Sequence, residues 1–306
     1  MAVADEGAEL RKAGITMPII VMNPEISSFR TLFSYRLEPE IYSFNLLNAL
    51  LAEGEKLGVS GYPIHIKIDS GMHRLGFTEN QIDELASILQ SQIVLMARSV
   101  FTHLAGSDEV AHDNYTQQQI ATFTYCADRI QNASKHKVLR HALNTAGITR
   151  FSEHQMDMVR LGIGLYGVSP IETSQILRPV STLKTTILQI HEYEAGCTIG
   201  YGRNGVLTRT SRIAAIPIGY ADGFDRRLGN GRGEVLVNGH RAPIVGNVCM
   251  DICMIDVTDI PCNEGDRVEI FGEHLPVQEI AQKLDTISYE VLTSISSRVK
   301  RVYYRE

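Results

Sequence analysis

The sequence has 306 residues, a formal net charge of −6 and no run rich in lysine and arginine. This length supports a large core and more than one domain, and the charge argues against a nucleic-acid or anionic-membrane partner. Five widely spread cysteines form no zinc-binding set, and no window is long and apolar enough to cross a bilayer. We therefore expect a cytoplasmic protein with reduced thiols, no metal and a small-molecule partner.

Strand-like and helix-like segments alternate through the first half of the chain. Residues 1–4 have the pattern of a shortened strand, and residues 5–14 that of a helix with a glycine stop. The strands predicted for the rest of this half lie at 18–22, 37–42, 64–69, 94–103, 139–144 and 158–166. This many repeats favours a parallel (β/α)8 barrel of the TIM type, with a doubly wound open sheet as the alternative.

After about residue 178 the pattern changes to alternating apolar and polar residues with frequent glycines. This pattern is typical of a mostly antiparallel β domain. We therefore expect two domains, at 1–178 and 179–306. One late helix is predicted at 276–284 and a final strand at 298–304.

One predicted strand carries charges where a buried strand should be apolar. Ile64, Ile66 and Ile68 alternate along it, so Lys67 shares the opposite face with an aspartate, and a glycine-bracketed turn then brings in Arg74. Such a conflict usually marks a functional site. An ordinary ion pair on a solvated face is the alternative, and this segment alone leaves both open.

Polar residues recur at the ends of the other predicted strands, where a parallel barrel holds its catalytic groups. His103 follows one strand, Asn144 and Thr145 follow the next, and Arg160 precedes Gly162 after the last. Singly, these read as a core histidine, a helix cap and a surface arginine. Together they suggest a phosphate cradle of backbone N–H groups and a hydroxyl.

The ordered set of motifs resembles the alanine racemase family, across essentially the whole chain. Family members have a barrel domain followed by a β-rich domain, and they use pyridoxal 5'-phosphate. The resemblance rests on residues 67–76, 102–103, 143–146, 158–163, 199–202, 218–223, 249–251 and 288–290.

The resemblance implies that Arg160 faces the pyridine nitrogen of the cofactor. An arginine does not give up its proton, so the ring nitrogen stays unprotonated and the cofactor is a weakened electron sink. It further implies that Arg74 bonds the phenolic oxygen and that Lys67 is carbamylated and positions Arg74. The expected contacts to the phosphate end of the cofactor are Asn144, Thr145, Gly162, Ile163 and Tyr289.

The implied reaction interconverts L- and D-alanine through a cofactor aldimine with two opposed bases, supplying D-alanine for peptidoglycan. Tyr201 is expected to be one base, tuned by His103, which would link it to Arg160. In the family this tyrosine reaches the active site of the partner subunit, so a homodimer is expected. Residues expected at the substrate entrance are Asp108, Tyr220, Arg226, Met250 and Asp251.

The chain departs from the family at the lysine that bonds to the cofactor. That lysine normally lies in the first barrel strand, shortly before a tyrosine-glycine-histidine-glycine segment, and none of the eight lysines here has this context. We therefore expect an amino-terminally truncated racemase that lacks the first strand and is inactive alone. Two alternatives stay open: a non-catalytic cofactor-binding or assembly fragment of a longer polypeptide, and a racemase of broader amino-acid specificity.

Overall fold

The computed structural model describes residues 1–171 and 177–304, which divide into two compact units. Met1–Gly162 forms the body of the first unit. Ile163–Val168 belongs to the second unit, with most of the chain that follows.

The first unit is a five-stranded parallel sheet with helices between the strands. Neighbouring strands pair in chain order, all parallel. The strands are β1 (Ile20–Val21), β2 (Glu38–Ile41), β3 (Tyr62–Lys67), β4 (Leu95–Phe101) and β5 (Leu139–His141). The helices are α1 (Ala4–Lys12), α2 (Phe29–Tyr35), α3 (Phe44–Lys56), α4 (Ile82–Ser91), α5 (Asp113–Ala133) and α6 (Thr145–Arg150). A doubly wound sheet reverses its strand order, so this sequential order excludes that alternative and confirms the predicted parallel α/β class.

Only an arc of a barrel is formed, because the strand predicted at 158–166 is absent from the described residues. The Met158 amide bonds to the carbonyl of Arg140 (3.3 Å) and the Arg160 amide to that of Leu143 (2.9 Å). These isolated bonds hold the segment beside β5 without a ladder. Its last part, Ile163–Tyr166, is a 3₁₀ turn.

The strand predicted at residues 1–4 does not form, although its first two residues bond to the segment that contains β1. Met1 lies beside β1 with bonds of a parallel ladder: its amine donates to the Ile20 carbonyl (2.6 Å), and the Met22 amide donates to its carbonyl (2.9 Å). Helix α1 begins already at Ala4. The Glu6 carboxylate accepts the Ala2 and Val3 amides (2.7 and 3.2 Å) and so stabilises the helix start.

Strand β3 lies in the middle of the sheet and is buried on both faces from Ile64 onward. Ile64 and Ile66 are fully buried, and the polar residues between and after them are buried too, with His65 3% and Lys67 4% exposed. The alternation of apolar and charged residues therefore does not separate a core face from a wet face here. Both faces of a parallel sheet are covered, so the polar side chains need internal partners.

The second unit is mostly antiparallel, as predicted. Its strands are β6 (Leu183–Thr186), β7 (Gln189–Tyr193), β8 (Thr198–Ile199), β9 (Gly205–Val206), β10 (Ser211–Ile216), β11 (Glu234–Val237), β12 (His240–Val245), β13 (Cys253–Asp256) and β14 (Arg267–Phe271). Seven of them form a sheet with the order β6-β14-β11-β12-β13-β10-β7, and β8 pairs with β9. Helices α7 (Val277–Leu284) and α8 (Ser288–Ser294) follow. The strand predicted at 298–304 does not form, and Tyr303 and Tyr304 are strongly exposed.

Across residues 1–171 and 177–304, none of the helices combines the length and apolarity needed to cross a membrane. The longest, α5, has 21 residues and carries several charged and amide side chains.

Substitution of Gly76 by alanine tests the turn that follows β3. Gly76 has φ +132°, and a Cβ there would lie 2.5 Å from the amide nitrogen of Asp69. We expect Gly76→Ala to lower the free energy of unfolding by about 2–4 kcal/mol, because conformational strain and a backbone clash add. Gly58→Ala is the matched control: φ is +65° but nothing lies near the added Cβ, so a loss of about 1 kcal/mol is expected. The free energies of unfolding are measured by urea denaturation. Equal losses for the two variants would contradict the close approach of the backbone at Gly76 and Asp69.

Candidate active site

The carboxyl ends of β3, β4 and β5 bring three polar side chains around the ring of Phe101. Lys67 Nζ lies 4.7 Å from the ring centroid, and the Arg160 guanidinium carbon lies 5.3 Å from it. The His141 ring stacks on the same ring at 4.8 Å. Parallel strands end at one edge of a sheet, and a buried aromatic face attracts cations there. We call these four residues, with Glu40, the strand-end cluster.

Four hydrogen bonds fix the partly buried guanidinium of Arg160. One terminal nitrogen donates to His141 Nδ1 (2.9 Å) and to the His141 carbonyl (3.1 Å). The other donates to the carbonyls of Thr102 (2.6 Å) and Ala142 (2.9 Å). Burial lowers the pKa of Arg160 to about 10, and the charge of Glu40 opposes this shift. Since this pKa is still well above 7, the side chain stays charged at neutral pH. Its Nε–H donates to no acceptor within the described chain and remains available.

Lys67 faces a buried carboxylate that the sequence analysis did not identify. Its Nζ lies 3.8 Å from Oε1 of Glu40, which is only 1% exposed. Neither Glu40 oxygen accepts a hydrogen bond from any part of the chain that the structure describes. Burial raises the pKa of Glu40 to about 7, although the positive charges of Lys67, Arg74 and Arg160 lower it. Burial also lowers the pKa of Lys67. Glu40 could have been recognised from the sequence as a glutamate within a predicted strand.

The loop after β3 is held by Asp69, whose role is structural. Its Oδ1 accepts the amides of Gly71 (3.1 Å) and His73 (2.9 Å), an arrangement typical of an Asx turn. Arg74 on this loop is exposed, and no side-chain hydrogen bond joins it to Lys67 in the described regions. Its charge still contributes to the pKa shifts of Glu40 and Lys67.

The hydrogen bond expected between His103 and Arg160 is not formed among the described residues. His141, one strand further along, takes that place instead. Burial and the charge of Arg160, with those of Lys67 and Arg74, lower the pKa of His103 to about 4, so His103 is neutral at physiological pH. The sequence analysis placed His103 after a strand and did not single out His141. The bond of Arg160 to His141 depends on the pairing of β4 with β5.

Among the residues expected at the phosphate, Asn144 caps a helix, whereas Thr145 and Gly162 lie together. Asn144 caps α6, its Oδ1 accepting the amide of Gly147 (2.9 Å) and the Ser107 hydroxyl (2.8 Å). Thr145 and Gly162 come together, since the Gly162 amide donates to Thr145 Oγ1 (3.0 Å). Ile163 begins a 3₁₀ turn that belongs to the second unit, and Tyr289 lies in helix α8 of the same unit.

Tyr201 lies in the second unit on a short turn between two glycines. Its side chain is 74% exposed. Gly200 and Gly202 adopt φ of +76° and +71°, which residues with a Cβ rarely adopt. The Tyr201 carbonyl accepts a bond from Asn247 Nδ2 (2.8 Å), so the loop is fixed while its phenol stays open to solvent.

Three of the residues expected at the substrate entrance lie on two adjoining loops of the second unit. The amide of Tyr220 donates to the Cys249 carbonyl (3.1 Å), and Met250 and Asp251 follow directly. A Cβ on Gly219 would lie 2.3 Å from the carbonyl oxygens of Cys249 and Met250, so glycine is required there. The other two residues are exposed: Asp108 in the first unit, and Arg226 at the start of a 3₁₀ turn in the second.

An arginine clamp holds these loops. The Arg298 side chain donates to Asp222 Oδ1 (2.8 Å) and to Asp251 Oδ1 (2.7 Å). Asp222 Oδ2 also accepts the Gly219 amide (2.9 Å). Arg298 therefore joins the loop of Tyr220 to the loop of Met250 and Asp251.

Family profiles match both parts of the chain. The profile of the alanine racemase N-terminal domain matches residues 1–170, and that of the alanine racemase C-terminal domain matches residues 180–303. The chain belongs to the alanine racemase family. It is 37% identical over 311 residues to the alanine racemase of Desulfovibrio desulfuricans, and that match covers 99% of this chain and 82% of the relative. It is 38% identical over 312 residues to the alanine racemase of Halothermothrix orenii, again covering 99% and 82%.

Solved alanine racemase structures also resemble this chain. The enzyme from the D-cycloserine producer Streptomyces lavendulae matches with a TM-score of 0.92 and 28% identity, covering 100% of this chain and 82% of that one. The enzyme from Clostridium difficile matches with a TM-score of 0.89 and 35% identity, covering 99% and 80%. Sequence and fold therefore agree on the family.

Substitution of Glu40 tests the electrostatics of the strand-end cluster. Its pKa in the folded protein is raised from the ordinary 4.5 to about 7, so its stabilising contribution is present below about pH 4.5 and lost as pH rises through 7. Glu40→Gln cannot ionise. We expect its free energy of unfolding, relative to wild type, to rise by about 3 kcal/mol between about pH 4 and pH 8.

Chemical denaturation across this pH range provides the measurement. Glu55→Gln, which changes an exposed carboxylate of α3, is the control and should follow the wild type at every pH. A Glu40→Gln curve parallel to the wild type would contradict the buried, hydrogen-bond-free carboxylate.

Proposed function

We propose that this chain carries the cofactor site of an alanine racemase and supplies one of its two bases. The observation that supports this most directly is Arg160. Four hydrogen bonds fix its guanidinium at the strand ends, and its Nε–H is left for an acceptor outside the protein. A pyridine nitrogen is such an acceptor, and pyridoxal phosphate carries one.

Bound there, pyridoxal phosphate would supply the electron sink that makes the α-proton of an amino acid removable. Arg160 keeps the ring nitrogen unprotonated, because an arginine does not release its proton at neutral pH. This weakens the sink and favours return of a proton over transamination. The fit is local and chemical: a guanidinium for the ring nitrogen, and the Thr145 hydroxyl beside the Gly162 amide for the phosphate.

The other assignments follow the family. Arg74 would bond the phenolic oxygen, and Lys67 would be carbamylated, which requires a protonated Glu40 because two anions less than about 4 Å apart repel strongly when buried. Burial and the pKa of Glu40, raised to about 7, are compatible with that protonation. The remaining contacts to the phosphate end would come from Asn144, Ile163 and Tyr289.

Tyr201 would remove or return the α-proton on one face of the substrate, with neutral His103 nearby. A strongly exposed aromatic side chain on a fixed loop is typical of a residue that enters a partner's surface, which supports a homodimer with shared sites. Asp108, Tyr220, Arg226, Met250 and Asp251 would line the substrate entrance. The substrate would be alanine, and the D-alanine formed in the cytoplasm would feed peptidoglycan synthesis.

The second base is the open part of the proposal. None of the eight lysines lies in the family's cofactor-lysine context. Lys67 is the one buried in the strand-end cluster, and it is paired with Glu40. We therefore propose that this chain binds pyridoxal phosphate without a covalent lysine link and racemises alanine poorly by itself. A non-catalytic cofactor-binding fragment and a racemase of broader specificity are the competing functions.

Borohydride trapping tests the lysine assignment. The chain is incubated with pyridoxal phosphate, reduced, digested and examined by mass spectrometry. We expect cofactor binding by fluorescence titration but no stoichiometric pyridoxyl adduct, because no lysine is free at the site. Arg160→Ala should lose most of the binding, and the exposed Arg36→Ala is the control. A single lysine modified in full would contradict the assignment.

Proton exchange tests Tyr201 without needing the second base. The chain, pyridoxal phosphate and either L- or D-alanine are incubated in D₂O, and loss of the α-proton signal is followed by NMR. We expect exchange with one enantiomer only, and a decrease of about 100-fold or more in Tyr201→Phe, because only that face has a base. Tyr303→Phe is the control for a remote exposed tyrosine. Equal exchange of both enantiomers would defeat the one-base assignment, and a panel of other amino acids reports the specificity.

A further inference from the structure

A chain of buried hydrogen bonds runs from Arg160 away from the candidate site. His141 Nδ1 lies 2.9 Å from the guanidinium, and His141 Nε2 lies 3.0 Å from Ser99 Oγ. Ser99 Oγ lies 2.6 Å from His65 Nδ1, and His65 Nε2 lies 2.8 Å from Glu38 Oε2. We call Glu38, His65, Ser99 and His141 the relay. Its outer end meets the half-exposed Arg98, which donates to Glu38 Oε1 (2.6 Å).

The end groups determine where every proton lies. A guanidinium only donates, so His141 Nδ1 must accept and His141 Nε2 must carry the proton. That proton goes to Ser99 Oγ, whose own proton goes to His65 Nδ1. His65 Nε2–H then donates to Glu38, which as a carboxylate only accepts. An arginine at one end and a carboxylate at the other therefore permit one direction.

Burial prevents water from stabilising any other arrangement of these protons. Ser99 is fully buried, His141 is 1% exposed, His65 3% and Glu38 5%. Water cannot replace a lost partner at such sites, and an unsatisfied buried polar group costs about 1–3 kcal/mol. The reversed arrangement would set a proton on His141 Nδ1 against the Arg160 donor. A doubly protonated His65 would leave the Ser99 hydroxyl proton without an acceptor. Burial and the charge of Arg160 also lower the pKa of His141 to about 2, in the same direction.

We propose that the relay positions Arg160: it holds His141 in the Nε2–H tautomer, so that one guanidinium nitrogen is fixed and the Nε–H is presented to the cofactor ring nitrogen. The presentation of the Nε–H to the cofactor rests on the proposed function, whereas the tautomer of His141 does not. Arg98 neutralises Glu38 at the outer end and keeps it an acceptor. The relay members are positioning residues, since they act on the cofactor only through Arg160.

Side-chain ¹⁵N NMR of histidine-labelled protein without cofactor tests the relay directly. The wild type should hold His141 as a neutral Nε2–H tautomer that does not change between about pH 6 and pH 8, and it should show a proton on His65 Nε2. Ser99→Ala removes the acceptor of the His141 Nε2–H and leaves this buried donor unsatisfied. The Nε2–H tautomer is then favoured by Arg160 alone, and it should lose part of its population to the Nδ1–H tautomer. Ser99→Thr keeps a hydroxyl and should restore the wild-type tautomer. An Nδ1–H tautomer of His141 in the wild type, or an unchanged one in Ser99→Ala, would overturn the proposal.

Cofactor affinity provides the second readout. We expect Ser99→Ala to weaken binding of pyridoxal phosphate about tenfold, with Ser99→Thr close to wild type. Thr116→Val is the matched control, since Thr116 is fully buried on α5 and its hydroxyl has no partner in the described chain. Equal affinity for Ser99→Ala and Thr116→Val would overturn the positioning role. If the wild type binds no pyridoxal phosphate, the proposed function fails, and the NMR result still decides the tautomer.

Discussion

Burying positive charge at the carboxyl ends of β3 to β5 is the constraint on which the rest of the first unit depends. A guanidinium and an ammonium removed from water lose several kcal/mol each unless nearby groups replace the solvent. Here the replacement comes from backbone carbonyls at the strand ends, the face of Phe101 and one buried carboxylate, Glu40. Each lies on a different strand or loop, so the cluster exists only when the sheet is assembled.

The parallel sheet explains why these groups can be satisfied at all. Its central strands are largely covered on both faces, so each buried polar side chain on β3 and β4 must find a partner inside. His65 and Ser99 lie two residues before Lys67 and Phe101 on the same faces of their strands, within hydrogen-bond distance of each other. The sheet thus places a polar line beneath the cluster, and this line ends on a carboxylate and a surface arginine.

The second unit solves a different problem, that of fixing exposed side chains. Gly219 allows one loop to pack against the carbonyls of another, and Arg298 joins both through two aspartates. The Tyr201 turn is fixed by glycines and by Asn247 in the same way. Rigid backbone under an exposed aromatic limits the entropy lost when that side chain is ordered by a ligand or a partner.

The sequence by itself determined the parallel α/β unit, the antiparallel β unit and the family, because periodicity and ordered motifs are local properties of the chain. It also predicted Lys67, Thr145 and Arg160 as site residues, since charged or polar residues at strand ends are visible without coordinates. Only the tertiary structure decided that Glu40 faces Lys67, that His141 instead of His103 bonds Arg160, and that residues 158–166 form no ladder. Those outcomes depend on the register of β2, β3, β4 and β5, which brings together residues far apart in sequence.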